Sequence, residues 1–202
     1  CIMLRAKGSD QELFRELLSR VGGTLFATLA QDTADAKLRE VFAIFSHYDT
    51  EFNHPRKVAE LAVSLFDQTV PLHGYGADER QYLRAAAYLH DIGHKLSEKR
   101  HEEFTYEAII REDLKVLTNP EREIIANIAC LHRQPYAKMK FDHLARLSGA
   151  NQMMVKRLAS LLRIADALDE SGRAVVQQVR CYEEHGVVYF DLVGAGHEGY
   201  NK

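Results

Sequence analysis

Late in the chain, Leu158-Ala159-Ser160-Leu161-Leu162-Arg163-Ile164-Ala165-Asp166-Ala167-Leu168 carries one carboxylate among aliphatic neighbours. Asp166 lies four residues past Leu162 and directly after Ala165, so helical spacing turns it toward the buried face. An ionised carboxylate in such surroundings is costly unless it is paired with a cation or bound to a metal. Any fold this chain adopts must therefore bring a partner to Asp166. Two are on offer: a buried guanidinium such as Arg163, or an ion held jointly with ligands from elsewhere.

Candidate co-ligands occur at two earlier places. His90-Asp91 ends a segment whose inward residues are Leu83, Ala86, Ala87 and Leu89, and Gly93 follows, where the backbone is free to turn sharply. His54 sits in Asn53-His54-Pro55, at the start of a helix whose inward face is Val58, Leu61, Ala62 and Leu65. Each has an ordinary alternative. A buried His usually just has a hydrogen-bond partner, and Asn53 or His54 is well placed as a helix cap. Together they form an ordered series of His, His-Asp and distant Asp, a mixed N/O donor set that suits Mn or Fe more than Ca.

Around this series the chain reads as helices followed by a β appendage. Apolar periodicity predicts helices from Ser9 to about Leu18, Thr33 to about His47, Asn53 to near Pro71 and Asp78 to Leu89. Further helices are expected at Phe104–Leu117, Pro120–His132 and Asn151–Leu168. Pro55 is compatible with a helix start, because first-turn amides have no helical partner. Val175–Tyr182 and Val187–Val193 are rich in Val, Tyr and Phe, and predict a β-hairpin with a loop of three or four residues around His185-Gly186. The expected fold class is thus an all-α helical bundle with a small C-terminal β-hairpin. Residues 1–32 form an N-terminal helical extension, 33–172 the metal-binding helical domain, and 173–202 the hairpin and a Gly-rich tail.

Composition narrows the function classes. With 202 residues and 46% hydrophobic content the chain has enough to build one core. It holds no apolar run long enough to span a membrane, and its start lacks the pattern of a secretory signal. Opening on Cys1 rather than Met, it reads as a fragment of something longer. Cys1, Cys130 and Cys181 are widely spaced, which excludes a Cys-x-x-Cys zinc ribbon and fits a reducing, cytoplasmic setting. A formal charge of −3 argues against general or specific nucleic-acid binding. Between His132 and Ala165, however, Arg133, Lys138, Lys140, Arg146, Lys156, Arg157 and Arg163 face one acid, Asp142. Such a run is either a solvated face or a surface for an anionic substrate.

The series resembles the HD superfamily of metal-dependent phosphohydrolases. The similarity extends beyond the ligands to Asn53-His54-Pro55-Arg56-Lys57-Val58-Ala59-Glu60-Leu61-Ala62, Ala86-Ala87-Tyr88-Leu89-His90-Asp91-Ile92-Gly93, Leu131-His132-Arg133 and Leu161–Asp169. These segments look like the HD-type C-terminal domain of the exopolyphosphatase/guanosine pentaphosphatase (Ppx/GppA) family, and the resemblance runs from about Leu38 to Leu192. It implies an HD-domain-like bundle in which His54, His90, Asp91 and Asp166 hold a divalent metal ion (Mn, Fe or Mg) that activates water against a phosphate ester, nucleotide or polyphosphate. Asp91 would also orient that water, and His94 is the candidate general acid, with a plain surface His as its alternative. His101 and His132 are candidates for a second metal. Arg133, Lys95 and Arg163 are candidates for substrate phosphate, Arg163 having an ion pair with a nearby acid as its other reading. Asp169 is a candidate to orient a ligand. His47, His73, His143, His185 and His197 show no partner pattern and are expected to face solvent.

Two departures stand against the family pattern. Its members carry an actin-like N-terminal domain, for which these residues leave no room. They also tend to have His-x-His-Ser after the His-Asp pair, where this chain has His101-Glu102-Glu103-Phe104-Thr105. Two readings follow: a working phosphohydrolase, or a noncatalytic module that binds polyphosphate, dimerises, or serves a missing N-terminal domain.

Overall fold

The computed structural model describes residues 35–48, 51–134 and 141–194. The expected helix at Ser9–Leu18, the extension 1–32, Lys138, Lys140, His197 and the Gly-rich tail lie outside the described residues. Within them, α1 (Ala36–Tyr48), α2 (Asn53–Gln68), α3 (Val70–His73) and α4 (Ala77–Leu89) lead into a 3-10 turn (Ile92–Lys95). Then come α5 (His101–Arg111), α6 (Asn119–Cys130), α7 (Asp142–Ala145) and α8 (Gly149–Leu168), followed by strands β1 (Val176–Glu184) and β2 (Val187–Gly194). The fold is mostly helical with a small antiparallel hairpin, as the periodicity predicts.

α2, α4, α6 and α8 pack on one another around a shared core. Leu61, Leu65, Leu83, Leu89, Ile125, Ile128, Leu158 and Leu162 are buried there, each on the helical face that its spacing dictates. α1 closes one side through Leu38, Val41, Phe42, Ile44 and Phe45. Phe52, just before α2, stacks on Tyr88 at 5.5 Å and meets Phe42 and Phe45 edge-on. That aromatic cluster pins the first turn of α2, which has no side-chain cap. α2 thus starts, and α4, α6 and α8 finish, at the end of the bundle that carries the His and Asp residues singled out above.

The helix expected over Phe104–Leu117 instead starts at His101 and stops at Arg111. Its end has a visible cause. The Glu40 carboxylate of α1 accepts the backbone N–H groups of Lys115, Val116 and Leu117 at 2.6, 2.8 and 2.8 Å, taking amides a longer helix would have used internally. The hairpin loop also differs from expectation. Glu184 pairs with Val187, leaving a two-residue turn, His185 at φ 53 and Gly186 at φ 79. Both left-handed residues match the twist that two-residue hairpin turns require, and His tolerates that region better than most side chains.

The hairpin is fastened to α2 on one edge. Lys57 Nζ donates to the Gln177 carbonyl at 2.8 Å. The Gln68 amide accepts from Cys181 N–H at 2.7 Å and donates to the Val179 carbonyl at 3.0 Å, standing in for a neighbouring strand. Val179 is the hairpin's buried anchor, while β2 is exposed along its whole length. No helix among the described residues is long and apolar enough to cross a membrane.

Candidate metal centre

His54 projects from the first turn of α2, His90 and Asp91 from the end of α4, and Asp166 from the last turns of α8. One ligand atom from each lies within 4.8 Å of every other. His54 Nε2 is 3.3 Å from Asp166 Oδ1 and 3.8 Å from Asp91 Oδ2. His90 Nε2 is 3.2 Å from Asp91 Oδ2 and 3.5 Å from Asp166 Oδ1. Residues far apart in sequence therefore converge on one point.

The other oxygen of Asp91 faces a second group. Oδ1 is 3.4 Å from His94 Nε2, 3.8 Å from His101 Nε2 and 3.5 Å from His132 Nε2. Asp91, His94 and His101 are themselves close enough to share an ion. The rings of His94 and His101 stack at 3.8 Å, 10° from parallel. This closeness depends on Gly93: a Cβ there would come within 2.0 Å of the His101 carbonyl oxygen, so only glycine lets α5 start against the 3-10 turn. Thr105 locks the approach, accepting from Gly93 N–H at 3.0 Å and donating to the His90 carbonyl at 3.1 Å.

Whether these residues fit a cation is decided by their other ring nitrogens. His90 Nδ1 meets the Ala87 carbonyl at 2.8 Å, His132 Nδ1 the Ala129 carbonyl at 2.6 Å, and His101 Nδ1 the Glu98 carbonyl at 3.3 Å. His54 Nδ1 meets the Asp169 carboxylate at 3.0 Å. All four partners are acceptors, so each Nδ1 carries a proton and each Nε2 points inward as the atom that can ligate an ion once unprotonated. Nε2 of His90, His101 and His132 and Oδ1 of Asp91 are buried without an aligned hydrogen-bond partner. Buried polar atoms are rarely left so, and a shared ion would satisfy all of them.

Charge points the same way. Burial pushes the Asp91 and Asp166 carboxyls up, but the imidazoles around them outweigh it and hold both well below the usual carboxylate range. Burial opposes charge on His90, yet Asp91 and Asp166 push its pKa up to about 10. Asp166 likewise raises His54 against its burial. Two ionised acids thus demand positive charge, which protons supply when no cation does. The C-terminal ends of α4, α6 and α8, the negative ends of their dipoles, add to that demand.

Arg133 stands at the rim, its Nε 3.8 Å from Asp166 Oδ2 and its side chain 45% exposed. Lys95 is exposed on the 3-10 turn. Arg163, the alternative partner for Asp166, instead donates to the Gln134 carbonyl at 3.0 Å. Neither His54 nor Asn53 caps α2. Two histidines expected to face solvent are only half-exposed. His73 Nε2 donates to the Phe66 carbonyl at 3.1 Å, and His143 stacks on Tyr106 at 3.9 Å with Nδ1 on Asn127 Oδ1 at 2.6 Å. His73 lies between Phe66 and Tyr75, both near it in sequence, while Tyr106 of α5 covers His143. The sequence reading also missed the bridge at Thr105 and the place of His94 beside His101. The spacing of Gly93 and His94 after the His-Asp pair was the available signal.

Residues 37–192 match the family described as Ppx/GppA phosphatase, domain III. A guanosine-5'-triphosphate,3'-diphosphate pyrophosphatase of Pseudoalteromonas translucida (strain TAC 125) is 24% identical over 147 residues, which take in 71% of this chain and 28% of that protein. The family match begins in α1, includes every residue of both His/Asp groups and ends in β2. This chain belongs to the Ppx/GppA phosphatase family.

Proposed function

We propose that this chain is a metal-dependent phosphohydrolase of the HD superfamily, acting on a phosphate ester, nucleotide or polyphosphate. The observation that carries the reading is Asp91, whose Oδ2 faces the imidazoles of His54 and His90 and whose Oδ1 faces those of His94, His101 and His132. His54, His90, Asp91 and Asp166 would hold a divalent ion, Mn, Fe or Mg by donor type. Asp91 with His94, His101 and His132 would hold a second. When bound, such ions polarise phosphoryl oxygens and lower the pKa of water.

The chain's own residues supply the rest. Carbonyl partners on Nδ1 keep the imidazoles in the ligating tautomer, so little reorganisation is needed. Arg133 at the rim offers a planar fork to a phosphate group, with Lys95 on the adjacent turn. Arg163 serves by holding Gln134, next to Arg133, in place. His94, with 35% of its side chain exposed, is the most accessible imidazole of the two groups. In a one-ion centre it is the residue to deliver a proton to a leaving oxygen; in a two-ion centre it is a ligand.

The test measures bound Mn, Fe and Mg together with phosphate release from nucleotides and polyphosphate, in wild type and Asp91→Ala. The reading expects metal and turnover in the first and loss of both in the second. A second reading has one observation in its favour: the chain spans only 28% of the length of the pyrophosphatase it matches. On that reading it is a polyphosphate-binding or dimerisation module of a larger phosphatase, partnered by a second copy or an actin-like N-terminal domain. Metal retained with no turnover on any phosphorylated substrate would favour it.

A further inference from the structure

Asp169 follows Asp166 by one helical turn, at the end of α8, and only 2% of it is exposed. Its Oδ2 accepts from His54 Nδ1 at 3.0 Å, and its Oδ1 accepts from the Ala174 N–H at 2.8 Å. Its own carbonyl accepts from Gly172 N–H at 2.7 Å. Ala174 stands at φ 50, in the left-handed region, two residues before β1 opens at Val176. One carboxylate therefore joins the root of the hairpin to a ring of the first His/Asp group.

We propose that Asp169 is a positioning residue that sets the tautomer of His54, and that the Ala174 amide dictates which way its side chain can act. The inference rests on the metal-binding reading above. His90, His101 and His132 lean on backbone carbonyls, which no side-chain substitution converts into donors. His54 alone among these four depends on a side chain. An ionised carboxylate only accepts, so His54 keeps its proton on Nδ1 and presents the Nε2 lone pair toward Asp166 and Asp91.

Asparagine at 169 keeps the shape but turns one end into a donor. The Ala174 N–H is a donor only, so it claims the asparagine oxygen. The asparagine NH2 then faces His54 Nδ1, which must accept, and the His54 proton moves to Nε2, where an ion would have to bind. Alanine at 169 removes both acceptors and places no donor against Nδ1, so only the Asp166 oxygen, 3.3 Å from Nε2, biases the ring, and an arriving ion can displace a proton from Nε2 to Nδ1 without opposition. The isosteric change is thus the more harmful of the two for ion binding. A merely structural acid predicts the opposite order.

The experiment titrates Mn2+ into wild type, Asp169→Asn and Asp169→Ala, with circular dichroism to check folding. It also records 15N imidazole spectra of His54 in the ion-free proteins, at a pH where that ring is neutral. The proposal expects D169N to lose about 10- to 100-fold in affinity for the first ion, the range seen when partners of metal-bound His are removed. D169A should lose less, and D169N should show His54 protonated on Nε2 where wild type shows it protonated on Nδ1. Equal losses, a greater loss in D169A, an unchanged His54 tautomer, or failure of either variant to fold would overturn it. If wild type binds no ion, the phosphohydrolase reading falls, while the imidazole spectra still judge Asp169 by themselves.

Discussion

Gly93→Ala is the smallest change that should separate the two His/Asp groups. The added methyl would sit 2.0 Å from the His101 carbonyl oxygen, 2.6 Å from Thr105 N and 2.8 Å from Thr105 Oγ1. Two of these are backbone atoms, so no side-chain rotation relieves the clash. Ordinary contact starts near 3.4 Å, and the first turn of α5 must retreat by about 1.4 Å to reach it. That retreat breaks the Thr105 bridge between Gly93 N–H and the His90 carbonyl, now at 3.0 and 3.1 Å. Overpacking of a tight site costs about 1–3 kcal/mol, and an amide left buried without a partner adds about 1–3 kcal/mol. A total near 3 kcal/mol corresponds to a fall in Tm of roughly 6–12 °C for a chain of this size. The retreat also carries His101 away from His94 and Asp91, whereas His54, His90 and Asp166 do not sit on α5. Thermal melts with and without Mn2+, and ion stoichiometry by calorimetry, test both halves. The variant should melt lower and lose the second equivalent of ion before the first. A Tm within about 2 °C of wild type, or loss of the first equivalent with the second intact, would refute the reasoning.

Ion binding should tighten as pH rises. His90, at about 10, holds an extra proton at neutral pH in the ion-free chain, and an incoming cation must displace it; the neighbouring Asp166 raises His54 in the same direction. Calorimetry in buffers of different ionisation enthalpy should register proton release, and absence of release would contradict it. The sign for stability is the reverse: the raised His90 stabilises the ion-free fold fully below its unfolded value near 6.5, and that contribution fades as pH rises through about 10. Denaturant titrations without metal should therefore show stability declining over that window. Glu40→Ala should cost about 2–4 kcal/mol, since charge-assisted hydrogen bonds to three amides are lost at once. Urea unfolding would detect that cost, and a change below about 0.5 kcal/mol would show that the 112–118 segment holds itself.

Much of the helical frame was legible because burial leaves a period in the sequence. Val58, Leu61, Ala62 and Leu65 lie on the inner face of α2, and Leu158, Leu162 and Ala165 on that of α8, as spacing requires. What escaped was decided by single contacts over long separations. Nothing local in Glu112–Leu117 says that Glu40 will take its amides and end α5 early. Nothing local to His143 announces that Tyr106 and Asn127 will cover it. The hairpin turn was misjudged because periodicity describes strands, not whether His185 adopts a left-handed conformation.

By itself the sequence determined that Asp166 must be compensated, and that His54, His90 and Asp91 lie on helical faces from which they can reach it. Those are consequences of periodicity and of the cost of burying charge, both of which a linear chain records. Only the tertiary structure decided that His94, His101 and His132 gather on the far oxygen of Asp91, and that Asp169 serves His54. Such pairings depend on how close one helix end comes to another. Here that distance was set by a missing methyl at Gly93 and by carbonyls at the ends of helices, neither of which leaves any period to read.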